Sequence, residues 1–252
     1  MTASEHGIWR NAATSPDVAP AITALVEATW PAFITRSPSP LVDRWRRSAL
    51  SPRLQCLLRD LDGQPIAAIS AVTVPDPGPL DALPEAGWDW AVAAAAPLER
   101  SEVMIGLSVS IAPTHQGRGL AYEALAQMCR VRDALGLERL LIPVRPTWKN
   151  RHPREPMARY CQRLNAEGLP EDPWLRVHAR VGGRILAPCE RSMTLEGSLE
   201  QWREWTGLPL RTDGEHTAPG LLAPLSVDLA AGVGRYIEPN VWVAHLRSTA
   251  PG

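Results

Sequence analysis

The sequence predicts an α/β protein with a mixed, mostly antiparallel central sheet of about six or seven strands, flanked by helices. Short apolar segments typical of buried strands alternate with amphipathic segments typical of helices along the 252 residues. Asp62-Gly63, between two such apolar segments, indicates an antiparallel hairpin. A later strand is followed by a glycine-containing turn, a helix over Leu120 to Leu135 and another strand, which is the order of a parallel crossover.

The first half of the chain alternates between the two types of element. Ser15 and Pro16 are typical of a helix N-cap and first turn, and the apolar residues after them recur at helical spacing. The elements predicted here are a strand at Ile8 to Ala12, the helix after Ser15, a short helix at Leu41 to Leu50, and strands at Leu54 to Asp60 and Pro65 to Val74.

The second half contains the most strongly patterned helix of the chain. Its buried stripe includes Leu125 and Met128, its opposite side carries Arg130 and Asp133, and Gly136 ends it. The elements predicted around it are an alanine-rich helix within Glu85 to Glu99, strands at Val103 to Ile111 and Arg139 to Val144, a helix at Asp172 to Val181, strands at Arg184 to Ala187 and Ser192 to Leu195, a short helix at Leu199 to Trp205, and a closing strand at Asn240 to Leu246.

We predict a single domain over residues 1–252, because strands are predicted on both sides of the proline-flanked segment from Pro146 to Pro156. The length beyond a minimal domain lies in an insertion at about 150–172 and in a C-terminal extension after about 196.

Composition and charge exclude several classes of protein. Lys+Arg 26 against Asp+Glu 27 gives a net charge of −1, so no overall basic field binds nucleic acid or an anionic membrane. The four cysteines form no C-x-x-C pair and there is no H-E-x-x-H, so we predict no metal site and no disulfide framework. The most apolar segment, Trp90 to Leu98, is too short to span a bilayer, and the first residues lack the pattern of a secretory signal. We therefore expect a cytoplasmic protein.

The most informative segment is the turn between the strand ending at Ile111 and the following helix. The first turn of a helix has free N–H groups and the positive end of the helix dipole. Gly117 and Gly119 allow the backbone to approach a bulky anion closely, because no Cβ intervenes. Strand, glycine turn and helix N-terminus together predict a pyrophosphate-binding cradle.

A Rossmann dinucleotide site is one class that uses such a turn. Gly117-x-Gly119 begins its fingerprint, but Tyr122 occupies the position of the third glycine. The following strand ends Val144-Arg145-Pro146, without the acid that binds the ribose. A glycine turn before an ordinary helix, with no ligand, is a further alternative.

The segment Gln116-Gly117-Arg118-Gly119-Leu120-Ala121 resembles the pyrophosphate motif Gln/Arg-x-x-Gly-x-Gly/Ala of the GNAT acetyltransferase superfamily. The motif comes shortly after a strand, and the order of the predicted elements is similar to that fold. The resemblance implies the acyl-CoA N-acyltransferase fold, with acetyl-CoA or another acyl-CoA as co-substrate and without a metal.

The resemblance also implies which residues bind the co-substrate. Backbone N–H groups would bind the pyrophosphate, and the end of the preceding strand would line the pantetheine arm. An N–H group near Val109 would polarise the thioester carbonyl. The residues implied for the pyrophosphate are Gln116, Gly117, Arg118, Gly119, Leu120 and Ala121, and those for the pantetheine are Val109, Ser110 and Ile111.

The catalytic residues match the family pattern less well. Many members carry Tyr-x-x-x-Gly after the next strand, and here the match is His178-Ala-Arg-Val-Gly182. His178 is therefore the candidate general acid, with Tyr160 as a competitor and a packing role for His178 as the alternative. Glu102, at the start of the strand that runs toward the site, is the candidate general base. A solvated glutamate is the alternative for Glu102, and Glu190 and Glu238 are weaker candidates.

The predicted function is acyl-CoA-dependent N-acyl transfer, of acetyl in the first place, to the amine of a small-molecule or amino-acid-like acceptor by direct attack. The insertion and the C-terminal extension are expected to shape the acceptor site. Because the usual tyrosine is missing, a non-catalytic CoA-binding module and a GNAT-like enzyme with other acyl chemistry stay open. The sequence names neither the acceptor nor the oligomeric state, and a homodimer is left open.

Overall fold

Ten strands form one sheet in the computed structural model of the chain, which describes residues 2–4, 6–47 and 51–247. The strands are β1 (Thr2–Ser4), β2 (Gly7–Asn11), β3 (Gln55–Arg59), β4 (Pro65–Val74), β5 (Val103–Ile111), β6 (Arg139–Val144), β7 (Arg184–Ser198), β8 (Gly214–His216), β9 (Leu225–Asp228) and β10 (Val233–Leu246). The helices are α1 (Val18–Thr29), α2 (Ala32–Thr35), α3 (Pro40–Arg46), α4 (Gly87–Ala94), α5 (Leu120–Ala134), α6 (Met157–Tyr160), α7 (Pro173–Arg180) and α8 (Leu199–Thr206).

The strand order is β1-β2-β3-β4-β5-β6-β10-β9-β8, and β7 pairs with the other edge of β10. All the described pairs are antiparallel except β5 with β6. The prediction of a mixed, mostly antiparallel sheet flanked by helices is therefore confirmed. β6 pairs with residues 241–246 of β10 and β9 pairs with residues 233–236, so residues 237–240 face a gap between two neighbouring strands.

The sheet opens between its two parallel strands. Residues 103–105 of β5 pair with residues 139–141 of β6, and beyond Ile105 and Leu141 the two strands diverge. On its other edge β5 contains a bulge at Leu107, since the ladder passes from the pair Ser70–Ser108 to the pair Ala71–Gly106. A bulge redirects the local backbone. Splay and bulge together create the opening that the functional site occupies.

Two hydrophobic clusters hold the sheet and its helices together. One contains residues of α1, α3, α4 and α8, and the other contains residues of α5 and α7. Trp9, Trp202 and Trp242 are among the largest fully buried side chains. Truncating a side chain of this size to alanine costs roughly 3–5 kcal/mol, so these tryptophans are major determinants of stability.

The predicted fold class is right, but the predicted strand count is too low. The two strands expected at 184–187 and 192–195 are parts of the single long β7, whose pairing with β10 is irregular between Cys189 and Met193. The closing strand begins at Val233, and the short strands β8 and β9 carry too little apolar pattern to be recognised. The helix expected at 41–50 ends at Arg46, and residues 48–50 lie outside the described residues.

The one sheet contains strands from both sides of the segment from Pro146 to Pro156, and the single domain over residues 1–252 stays a prediction. No helix in the described ranges is long and apolar enough to cross a membrane.

Candidate active site

The glycine turn adopts the conformation that the sequence predicts for an anion cradle. Gly117 and Gly119 have φ angles of 75° and 83°, in the left-handed region that favours glycine, and Gly119 is the N-cap of α5. An added Cβ at either position would meet no atom within 4 Å, so the backbone borders open space. The free N–H groups of the first turn of α5 are therefore accessible to an anion.

A cleft of about 670 Å³ extends from this turn along the splay between β5 and β6. One end is bordered by the glycine turn and by Pro173, Trp174 and Val177 around α7. The residues at the polar end come from five separate parts of the chain: Thr29, Trp30, Pro31, Trp88, Arg145, Met193, Glu238 and Asn240. The lining of the cleft thus includes both an anion cradle and a group of polar side chains. This combination suits a long, anionic co-substrate and a small second substrate.

All the predicted co-substrate residues except one border this cleft. Val109, Ser110 and Ile111 lie on its β5 wall, and Gln116, Gly117, Gly119, Leu120 and Ala121 border the end formed by the glycine turn. Arg118 is exposed and does not contribute to the lining. Ser110 Oγ also accepts a hydrogen bond of 2.9 Å from Trp30 Nε1, which ties the α1–α2 corner to the splayed strand.

The polar end of the cleft is organised by a buried carboxylate. Glu238 is 1% exposed, and Arg145 Nε donates to its Oε1 and Oε2 at 3.0 and 3.1 Å. The Tyr236 hydroxyl donates to Glu238 Oε2 at 2.9 Å and accepts from the Leu222 N–H at 2.8 Å. Burial raises the pKa of Glu238 above its usual value, although Arg145 and Tyr236 oppose the shift.

His178 is buried and does not line the cleft, contrary to its predicted role as general acid. Its Nδ1 lies 2.9 Å from His245 Nε2, its Nε2 has no hydrogen-bond partner in the described structure, and its ring packs against Trp174. Burial, and then the neighbouring His245, hold the pKa of His178 well below its usual value. A neutral, enclosed imidazole suits the packing alternative, and Trp174, not His178, reaches the cleft.

Tyr160, the competing acid, is also outside the cleft lining. It is buried, and its hydroxyl donates a 2.9 Å hydrogen bond to Asp172 Oδ2. The other oxygen of Asp172 accepts from the N–H groups of Trp174 and Leu175, so Asp172 caps α7. Burial and the Asp172 charge raise the pKa of Tyr160 far above its usual value. Tyr160 therefore supports the N-terminus of α7, and its proton is not available to a leaving group in the cleft.

Glu102, the candidate base, lies at the wrong end of its strand. It precedes β5 where β5 is still paired with β6, and it is exposed and does not contribute to the cleft. Glu190 is exposed as well and lies outside the lining. Of the acidic candidates, Glu238 is the one that the fold brings to the cleft.

A second carboxylate approaches Glu238 from α4. Asp89 Oδ2 accepts from the Thr194 N–H at 2.8 Å, and Oδ1 is buried with no hydrogen-bond partner in the described structure. Burial, with a smaller contribution from the Glu238 charge, raises the pKa of Asp89 to about 6. Among the described residues no group of His, Cys, Asp and Glu has an arrangement that could hold a metal ion.

Sequence reasoning missed Arg145, Asn240 and the importance of Glu238. Arg145 follows the last residue of β6, at the carboxyl end of a parallel strand, where α/β sheets usually bind ligands. Glu238 and Asn240 come directly before the apolar run 241–244 of β10, and a polar residue next to such a run in a strand is itself a signal.

The fold and the cleft define the class of acyl-CoA N-acyltransferases, and comparisons with known proteins agree. The model of the acetyltransferase (GNAT) family matches residues 22–151. The arginine N-acetyltransferase avaD of Aspergillus versicolor is 30% identical over 250 residues, which cover 87% of this chain and 86% of the relative. The chain therefore belongs to the GNAT acetyltransferase family and is an N-acetyltransferase, which sets aside the alternative of a non-catalytic module.

Solved structures show the same fold. The loading GNATL domain of CurA from Lyngbya majuscula superposes with a TM-score of 0.61 at 18% identity, over 95% of this chain and 96% of that one. The GphF GNAT-like decarboxylase in complex with isobutyryl-CoA has a TM-score of 0.57 at 19% identity, over 95% of this chain and 98% of that one. At these identities the similarity concerns the fold alone.

Proposed function

We propose that the protein transfers the acetyl group of acetyl-CoA to the amine of a small, amino-acid-like acceptor. The observation that carries this proposal is the cleft itself, which has a backbone anion cradle at one end and the buried Glu238 at the other. Arginine is the first acceptor to test, because the relative from Aspergillus versicolor is named an arginine N-acetyltransferase.

In this proposal, the N–H groups of the turn from Gln116 to Ala121 bind the pyrophosphate. The β5 backbone around Val109 lies where the strand has left β6, so its free groups can pair with the pantetheine amide and the thioester carbonyl. Acetyl-CoA, when bound, supplies an acetyl group activated as a thioester.

We assign the general base to Glu238, acting directly or through one water. Burial raises its pKa above the usual value, and the ionised form of a carboxyl with a raised pKa is a better proton acceptor than an ordinary glutamate. The acceptor's ammonium loses a proton to Glu238, and its neutral nitrogen then forms the bond to the acetyl carbon. As the carbon–sulfur bond breaks, this nitrogen releases a second proton to solvent. We assign protonation of the leaving thiolate to solvent, because neither His178 nor Tyr160 reaches the cleft.

CoA release, measured over a set of small amines with acetyl-CoA as donor, tests the proposal. We expect arginine or a related amino acid to give saturable release together with the N-acetylated product by mass spectrometry. Thermal stabilisation by acetyl-CoA, measured separately, reports the cradle. Failure to bind acetyl-CoA, or turnover with longer acyl-CoA donors only, would contradict the proposed donor.

A further inference from the structure

The guanidinium of Arg145 is held in place and still has a free donor. Its Nε donates to Glu238 and its Nη2 donates to the Gly220 carbonyl. Its Nη1 has no hydrogen-bond partner among the described residues and is not among their buried unpaired atoms. Arg145 lines the cleft, so this nitrogen is available to a molecule bound there.

A second polar side chain lies beside Arg145. Val241 of β10 pairs with Val144 of β6, so the next residues outward on the two strands are Asn240 and Arg145. Asn240 is buried and lines the cleft, and its side-chain amide forms no hydrogen bond within the described part of the chain. A polar group that folding leaves unpaired near a cleft is satisfied when a ligand binds.

The surroundings keep the Arg145 guanidinium in a fixed position. Lys149 Nζ donates to the carbonyls of His152 and Leu222 at 2.7 Å each, and Tyr236 accepts from the Leu222 N–H. Together with the bond from Arg145 to Gly220, these contacts fix the segment 220–222 beneath the polar end of the cleft. A binding group that is fixed before the ligand arrives loses little entropy on binding.

The chemistry of these groups selects a carboxylate. Guanidinium nitrogens carry only donors, and an arginine with a carboxylate is among the strongest charge-assisted pairs. A cationic group of the ligand gains less at this position, because Glu238, the acidic residue in the cleft lining, already pairs with Arg145. We propose that Arg145, assisted by Asn240, binds the carboxylate of the acceptor, so that the substrate class is free amino acids and not their decarboxylated amines.

This inference rests on the proposed function, and acceptor pairs that differ only in the carboxylate separate the two. Arginine with agmatine, ornithine with putrescine and lysine with cadaverine are such pairs. We expect wild-type kcat/KM for the better amino acid to exceed that for its amine by about 10-fold or more, the effect of one charge-assisted hydrogen bond.

Arg145→Gln tests the residue itself. Because Glu238 loses its partner, we expect kcat/KM to fall for both members of a pair, and to fall about 10-fold or more further for the amino acid than for its amine. Arg145→Lys, which keeps a positive charge, should restore part of the preference. Arg139→Gln is the matched control, because Arg139 also pairs with a carboxylate and a carbonyl, those of Asp76 and Gly78, at the opposite end of β6. The control should keep the full preference.

The outcomes are distinct. Equal losses for both members of a pair would mean that Arg145 acts only through Glu238, and they would overturn the proposal, as would a wild-type preference for the amines. Acetyl transfer without any carboxylate preference would leave the proposed function standing and remove this inference. If no amine is acetylated, the proposed function fails. In that case, calorimetry with the same pairs and the protein saturated with CoA tests whether Arg145 binds a carboxylate. Equal affinities for the amino acid and its amine would overturn the inference.

Discussion

The two ends of the cleft are built in different ways. The co-substrate end is a continuous turn whose backbone does the binding, shaped by Gly117 and Gly119 and by the start of α5. The acceptor end contains Arg145, which directly follows β6, and Glu238 of β10, which are distant in sequence and form a buried ion pair. A backbone site depends on local conformation, whereas a side-chain site depends on long-range strand pairing. The following predictions test this difference.

The largest effect is expected at the acceptor end. Glu238→Gln removes the assigned base, so kcat should fall on the order of 10²-fold. Acetyl-CoA affinity should stay within about 3-fold, because Glu238 is remote from the cradle. In the wild type, activity should rise with pH as Glu238 deprotonates, above the ordinary glutamate value of 4.5, and the variant should lose this limb.

Steady-state kinetics over pH, with calorimetry for acetyl-CoA, provides the measurement. Glu190→Gln is the control, because Glu190 is exposed near the same strands and lies outside the cleft. A pH profile that is the same in wild type and Glu238→Gln would remove Glu238 from the base role.

A substitution in the cradle should lower the affinity for acetyl-CoA and leave kcat nearly unchanged, the reverse of the effect expected for Glu238→Gln. Gly119→Glu introduces a negatively charged side chain at a φ of 83°, in the turn where the pyrophosphate is expected to bind. The acetyl-CoA dissociation constant should rise at least ~30-fold, or ~2 kcal/mol, while kcat at saturation changes little. Gly136→Glu has the same charge and a φ of 71° at the far end of α5, so it controls for backbone strain. Equal losses of affinity in both variants would mean that strain, and not the cradle, is responsible.

The two buried histidines should affect stability and not turnover. Burial holds the pKa of His178 and His245 below the usual 6.5, in His245 at about 4, so the unfolded chain takes up protons that the folded chain refuses. The free energy of unfolding should therefore fall as the pH drops below ~6.5. Each histidine should contribute on the order of 1 kcal/mol per pH unit, until the pH reaches the pKa of that histidine in the folded state.

Urea unfolding between pH 7 and pH 5 measures this slope. His178→Phe should be less stable at pH 7 but should show a shallower slope, and its kcat per folded molecule should stay close to wild type. A loss of kcat on the order of 10²-fold with unchanged stability would instead restore the acid role predicted from the sequence.

The smallest effect is expected for Arg118→Ala. The backbone N–H of Arg118 is kept, and its side chain is exposed and outside the cleft lining, so acetyl-CoA affinity should fall at most about 3-fold. Calorimetry at low and moderate salt is the measurement. A much larger loss would mean that side-chain charge, and not the turn backbone, dominates pyrophosphate binding.

The same difference explains what the sequence could predict. The strand Val103–Ile111, the turn and the helix from Leu120 follow one another directly, so local pattern is sufficient to identify them. Glu238 and Arg145 are 93 positions apart and meet only because β10 inserts beside β6, a pairing that no local pattern contains. His178 and Glu102 were assigned by their place in a family pattern, but their burial and their position along the strand depend on this chain's own packing.

Lys149 has a practical consequence for work with this protein. It is the one lysine in the sequence, and it is fully buried with its ammonium bonded to two carbonyls. The folded enzyme therefore offers no lysine side chain to acetylation by its own co-substrate, to amine-directed cross-linkers or to coupling on a sensor surface. Conversely, modification of Lys149 by an amine-reactive reagent requires the segment around it to open, so its labelling rate is an intrinsic probe of local unfolding.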